Sequence, residues 1–491
     1  MKKAFTFLSL IIPGPKSPKG NLDIFLQPLI DELKLLWEEG VSTYDVSKKK
    51  NFQMRAMLHW TISDFPAYGM LSGWSTVGKL ACPYCMEHTK AFTLTNGKKQ
   101  TWFDCHRPFL PEDHPFRRNK SAFRKNKAEY SPVPPRLSGE EVWERVSKLP
   151  RIGECEHSQF LSLLKGLGVP HNWNKQSIFW QLPYWSKLLI RHNLDVMHIE
   201  KNVFDNVFHI VMNDKKKTKD NLKARNDLKK FCKRRKLEVD DDAIDETNMP
   251  TAPYVLSKEK RKAFCEWLEG LKLPDGYTSN LSRCIDTKKY KLFGMKSHDC
   301  HVLMQRLLPI AFKDLLPVNV WNALTKLSQF FRDICSSFVK IEDMIQLEKN
   351  ILEILCKLEK IFPPSFFNSI KHLPIHLPYE AKVGGPVQYK WMYPFERFLY
   401  HLKKKVGNKA RVEASTYHVN TKVGSLGLNL NVDEESIGKD LPEVFNCNTG
   451  YSPSEGQFGY LTEKDYNVAH RYVLGNCELL SNFERYGFNF S

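Results

Sequence analysis

The 491-residue chain contains no uninterrupted apolar run of the roughly 18 to 20 residues that a membrane-spanning helix needs, which excludes a helical bilayer span. Nor is a secretory leader expected at its start. Met1-Lys2-Lys3 and the apolar residues after it supply two parts of one, but Pro13-Gly14-Pro15-Lys16 stands where small residues would allow cleavage. Its 12 cysteines are scattered except for one close pair, so they form no disulfide framework, and a chain of this length does not need one to hold a core. A reducing compartment follows as the expectation. No segment recurs at a fixed period. Nor is there an acidic excess: 73 Lys and Arg against 55 Asp and Glu give a net charge of +18, which favours polyanionic partners such as nucleic acid. What is present in quantity, 42% hydrophobic and 12% aromatic residues, excludes wholesale disorder.

Residues 5–12 are short, apolar and closed by a Pro/Gly turn, which predicts a strand. Ile24, Phe25, Leu29, Ile30, Leu33, Leu36 and Trp37 then recur at helical spacing, with Asn21 as N-cap and Gly40 as terminator. Alternation over residues 53–62 predicts a second strand that ends at Asp64. Strand, helix, strand in this order predicts a parallel pair with functional groups at the carboxyl ends. Residues 73–150 are rich in Cys, His, Pro, Arg and Lys and read as an inserted module. A mostly helical stretch follows, interrupted over 212–260 by a charge-dense segment expected to be an exposed connection. Residues 294–312 and 319–362 read as helices, Pro363-Pro364 ends the second, and Gly384-Gly385-Pro386 breaks the chain again.

Four groups of residues could carry chemistry. Cys82-Pro83-Tyr84-Cys85 has the two-residue spacing of a zinc knuckle, in which a tight turn aims two thiolates at one tetrahedral ion. Two further ligands are needed, and Cys105 and His106 follow the hairpin signal Asn96-Gly97, with His88 or His114 able to replace one of them. Asp195 and His198 are three apart, which puts both on one helical face to hydrogen-bond, to share a metal, or only to brace the structure. His298 and His301 have the same spacing and the same alternatives. Asp64 reads as a turn or N-cap residue, or with Glu396 as part of a carboxylate site for hard ions such as Mg²⁺ or Mn²⁺. The basic run Lys233-Arg234-Arg235 reads as a localisation signal, a DNA-contacting loop or a solvated linker.

Several long strings together resemble the plant CACTA (En/Spm-like) transposase family. They include Leu10-Ile11-Ile12-Pro13-Gly14-Pro15-Lys16, Trp60-Thr61-Ile62-Ser63-Asp64-Phe65-Pro66-Ala67-Tyr68, Cys82-Pro83-Tyr84-Cys85 and His192-Asn193-Leu194-Asp195-Val196-Met197-His198. Lys296-Ser297-His298-Asp299-Cys300-His301 and Trp391-Met392-Tyr393-Pro394-Phe395-Glu396-Arg397 extend the likeness towards Ser415. The resemblance implies an α/β fold with an interrupted RNase H-like core, a zinc-knuckle-like insertion and a large helical insertion. It divides the chain at 1–72 (partial core), 73–150 (Cys/His-rich insertion), 151–313 (helical insertion with basic linker), 314–415 (helical domain completing the catalytic region) and 416–491 (divergent tail).

The resemblance further implies a Mg²⁺- or Mn²⁺-dependent enzyme that cuts and joins DNA at transposon ends, nuclear and homo-oligomeric when active. On that pattern Asp64 is the second acidic residue, Asp195 and His198 the motif that follows, and Glu396 the third acid, with Glu413 as the alternative. Arg397, Lys403, Lys404 and Lys405 would contact phosphates. The family's first aspartate falls upstream of the segment matching residues 5–18, so the chain reads as an amino-terminally truncated copy with an incomplete catalytic set. The rival expectation is a non-catalytic DNA- or protein-binding remnant.

Overall fold

Leu22–Glu38 forms the expected first helix, which buries Ile30 and Leu36 and packs Leu26, Leu33 and Trp37 on Tyr184 and Trp185, while Ile24 and Phe25 stay exposed. Asn21 occupies the N-cap without a side-chain capping bond. Gly40 ends the helix: its N–H donates to Leu35 at 2.8 Å, its φ is +77°, and a Cβ there would lie 2.7 Å from the Met54 carbonyl. Only glycine meets both conditions without strain.

The computed structural model describes residues 21–123, 127–151, 170–240, 249–273 and 281–405, with a few isolated positions beside them. Most of the expected opening strand, and the tail beyond residue 405 with Glu413, lie outside these. The described architecture is mixed and mostly helical, with four two-stranded sheets. Of a parallel sheet, the described residues contain one ladder, Thr61–Ser63 beside His192–Leu194, with Ser63 opposite Leu194.

The strand expected over 53–62 divides in two. Lys50–Met54 pairs antiparallel with Val41–Asp45, and Thr61–Ser63 joins the parallel ladder. Between them the backbone leaves the strand conformation because other groups claim its polar atoms and side chains. The Leu58 N–H donates to the Tyr184 hydroxyl at 2.9 Å, and Met57 and Leu58 pack into the cluster of Trp37 and Tyr184.

One large apolar cluster takes residues from the Cys/His-rich module, the middle of the chain and the carboxyl-terminal helices alike. Its axis is Val196–Val211, whose Ile199, Val203, Phe204, Val207, Phe208 and Val211 are all buried. The Phe208 ring lies tilted against Phe264, which in turn meets Phe312. The single helix expected over 319–362 is two, Val318–Ile334 and Ile341–Ile361, which pack on each other through Leu324, Leu327, Phe331, Ile351 and Leu355.

The segment 212–260 corrects the expectation of an exposed connection wherever it is described. Leu222–Phe231 is a helix, and Arg225 is buried with Asp220 and Tyr254 around it. Asp227, also buried, accepts the backbone N–H groups of Asn96 and Gly97 at 2.8 Å each. The Asn-Gly turn does close the hairpin of Phe92–Thr93 and Gln100–Thr101, and this charged helix holds it. Charge density here is spent on internal hydrogen bonds that buried polar groups require.

Candidate functional site

The register Ser63 opposite Leu194 places Asp64 and Asp195 at the ends of adjacent parallel strands, and each is the N-cap of the next helix. Asp64 accepts from the Ala67 N–H at 2.9 Å at the start of Phe65–Ser72. Asp195 is buried and accepts from the Met197 N–H at 3.2 Å. Capping satisfies orphan N–H donors and sets a negative charge against the positive helix end. The capping reading of Asp64 is therefore correct, and the strand register sets Asp64 beside Asp195 at the same edge of the ladder.

His198, one turn into Val196–Val211, hydrogen-bonds through Nδ1 to Asp195 Oδ2 and faces Glu396 with Nε2 at 3.4 Å. Glu396 lies in the first turn of Tyr393–Lys405, and the Met392 N–H just before that helix donates to Asp195 Oδ1 at 3.1 Å. The hydrogen bond to Asp195, and then the charges of Asp195, Glu396 and Asp64, raise the His198 pKa above its ordinary value against the effect of burial. Asp195, His198 and Glu396 thus meet in the fold, and Asp64 lies near enough to act on His198 through its charge.

The close cysteine pair finds partners that are not its sequence neighbours. Cys82 Sγ lies 3.3 Å from His376 Nε2, Cys85 Sγ 3.3 Å from His372 Nε2 and 3.5 Å from His376 Nε2, and the two imidazole nitrogens are 3.4 Å apart. All four residues are buried. Zinc at about 2.3 Å from sulfur and about 2.0–2.1 Å from nitrogen gives tetrahedral edges of roughly 3.3–3.8 Å. The donor set and its spacing therefore fit a structural metal such as zinc. Burial disfavours both thiolates. Even so, the hydrogen bond from Cys85, and then His376 and His372, bring the Cys82 thiol well below its ordinary value, while Cys85 is pushed well above.

Cys105 and His106, the expected third and fourth ligands, are outside this group. Cys105 donates to the Phe103 carbonyl at 3.3 Å, and His106 Nδ1 meets Glu359 Oε1 at 2.5 Å, with its ring stacked near His372. His88 and His114 are elsewhere too, beside Glu87 and Glu353. The missed residues carry a legible signal: His372 and His376 are four apart, but about 290 positions from the pair they complete.

A second group of donors, Glu200, His301 and Cys335, gathers under the same helix. Hydrogen bonds engage one side of it: His301 Nδ1 meets Glu200 Oε2 at 2.8 Å, and Gln305 donates to Glu200 at 3.1 Å and to the Phe331 carbonyl at 3.0 Å, while Glu200 Oε1 is buried without a hydrogen-bond partner. The His298 ring stacks near His301, with centroids 6.0 Å apart, and also lies near the Tyr393 ring.

The basic residues separate by position. Arg234 is committed inward, to the Phe362 carbonyl at 2.9 Å and to the Glu359 carbonyl, which removes it as a free phosphate contact. Lys233 and Arg235 are exposed, as are Arg397, Lys403 and Lys404, and Lys405 closes the helix Tyr393–Lys405. Asp23 is bound within the fold, to Lys175 at 2.5 Å and to the Ile178 N–H.

Residues 1–149 match the family model described as Transposase family tnp2, and residues 334–426 match one described as Domain of unknown function (DUF4218). No curated protein and no solved structure matches the chain. Among the described residues, no helix is long and apolar enough to cross a membrane.

Proposed function

We propose, from the premise that the chain carries a tnp2-family transposase segment, that it is a CACTA transposase-like protein in which Asp64, Asp195, Glu396 and His198 supply part, without the family's first aspartate, of a site that cuts and joins DNA. The observation that carries the reading is the convergence of three carboxylates from distant elements on His198. Hard divalent ions require such oxygen donors, and Mg²⁺ or Mn²⁺ held here would activate the attacking oxygen and stabilise the leaving oxygen. Each carboxylate oxygen has two acceptor positions, so Asp195 Oδ2 keeps one beyond its bond to His198.

Asp64 and Asp195 are held by their capping bonds before any substrate arrives, which removes an ordering cost from the reaction. Glu396 sits on a basic helix whose Arg397, Lys403 and Lys404 are available to phosphates, and the DNA backbone would be oriented by them. The parallel ladder with acids at its carboxyl ends supports an RNase H-like core. Nuclear localisation and assembly into a homo-oligomer belong to the same proposal.

The test is strand cleavage and transfer on DNA carrying matching transposon ends, with Mg²⁺ or Mn²⁺. Asp64→Asn, Asp195→Asn and Glu396→Gln keep the shapes, and the first two also keep an N-cap, so the fold should survive while cleavage falls to background. Cleavage that persists in Asp64→Asn would sink the site. The net charge of +18 supports a second reading, a non-catalytic DNA-binding protein. That reading predicts salt-sensitive DNA binding by the natural chain with no metal-dependent cleavage at all.

A further inference from the structure

The match to a domain of unknown function begins at residue 334, and the transposase match ends at 149, as though two independent units were joined. The side chains of the second segment contradict that separation. It supplies His372 and His376 to the cysteine pair, Glu380 to the strand that ends just before Asp195, and Glu396 to His198.

Glu380 links these contacts. It is buried, one turn after His376 in the helix Leu377–Gly384. Its carboxylate accepts the Leu194 N–H at 3.1 Å from each oxygen, and Leu194 immediately precedes Asp195. The same carboxylate accepts the hydroxyl of Tyr84, the residue between Cys82 and Cys85, and the Tyr84 ring stacks on His376 at 4.8 Å and 12°. The chain then returns on itself. Lys390 Nζ donates to the Glu380 carbonyl at 2.7 Å, Asn193 Nδ2 donates to the Lys390 carbonyl at 2.7 Å, and the Met392 N–H reaches Asp195. The strand N–H of Leu194 thus bonds a side chain fixed by the metal ligands, so the position of Asp195 depends on both.

We propose that the segment of unknown function is the positioning half of the catalytic unit, and that Glu380 is a positioning residue coupling the Cys82/Cys85/His372/His376 metal site to Asp195. The inference rests on the reading of Asp64, Asp195 and Glu396 as a divalent-ion site. Loss of an outer partner that orients a ligand typically weakens metal binding by about 10- to 100-fold.

The experiment uses the full chain loaded with zinc and follows two quantities, zinc per chain and Mn²⁺ affinity by electron paramagnetic resonance of the free ion. Tyr84→Phe removes only the hydroxyl that meets Glu380 and keeps the ring on His376. It is expected to retain zinc and weaken Mn²⁺ binding by about tenfold. Glu380→Gln retains an acceptor for Leu194 and is expected to bind Mn²⁺ more tightly than Glu380→Ala. Asp195→Asn separates the two ideas. Should Asp195→Asn abolish Mn²⁺ binding while Tyr84→Phe and Glu380→Ala leave it at the natural affinity, the coupling is overturned and the carboxylate site stands. Should Asp195→Asn leave Mn²⁺ binding intact, the carboxylate site itself is overturned.

Discussion

His192 illustrates how much one buried side chain can do. Its Nδ1 meets the Thr61 hydroxyl at 2.8 Å across the parallel ladder, and its ring lies among Tyr68, Phe179 and Trp185. Burial, and then the nearby charges of Arg191 and Lys175, depress its pKa from 6.5 to about 3. The folded chain therefore keeps it neutral where the unfolded chain takes up a proton. Its contribution to stability is complete above about pH 6.5 and is lost progressively as pH falls toward 3. Denaturant unfolding between pH 6 and 4 should show His192→Gln with a shallower loss of stability, by close to one proton or about 1.4 kcal/mol per pH unit. An unchanged slope would mean that His192 is already protonated in the fold. The identity of such residues can be read from the sequence, but their environment cannot. Asp64 was legible as an N-cap from its place before Phe65-Pro66, whereas His192 gave no sign that it would sit in a ring of aromatics.

At the scale of elements, the hairpin at Asn96-Gly97 and the helix Leu22–Glu38 followed from local signals alone, because turn chemistry and helical periodicity act over a few residues. The metal knuckle did not. Its cysteines are local, whereas His372 ends the short helix Ser369–His372 and His376 occupies the N-cap position of Leu377–Gly384 far along the chain, so spacing could complete only half the site. Metal analysis of the purified chain should find about one zinc per molecule, as a single tetrahedral site requires, lost in Cys82→Ser and in His376→Ala. Cys105→Ser should keep it, since Cys105 bonds to the Phe103 carbonyl. Loss of zinc in Cys105→Ser with an unchanged fold would return that residue to the ligand set.

For the whole molecule, the net charge of +18 is a poor guide until its residues are sorted by position. Lys233 and Arg235 are exposed beside Arg234, which is engaged with the Phe362 and Glu359 carbonyls. Charge reversal at Lys233 and Arg235 should weaken DNA binding and flatten its dependence on log salt by about 0.9 for each phosphate no longer neutralised. Arg234→Ala should instead cost stability, by about 1–3 kcal/mol for carbonyls left unpaired, with the salt slope unchanged. Filter binding across a salt series and thermal melts of the same proteins distinguish the two effects. An altered salt slope in Arg234→Ala would show that its guanidinium reaches the DNA.

The sequence by itself determined what short-range physics controls: the first helix and its glycine stop, the cysteine turn, the absence of a helical membrane span, and the candidate acids Asp64, Asp195 and Glu396. It also carried the transposase likeness, which the tnp2 match over residues 1–149 supports. Only the tertiary structure decided which of these residues meet. A parallel strand pair brings Asp64 to Asp195, and the packing of Leu377–Gly384 brings Glu380 to Leu194 and His376 to the cysteines. Contacts across such separations depend on how whole elements bury their apolar faces, and no local spacing records that outcome.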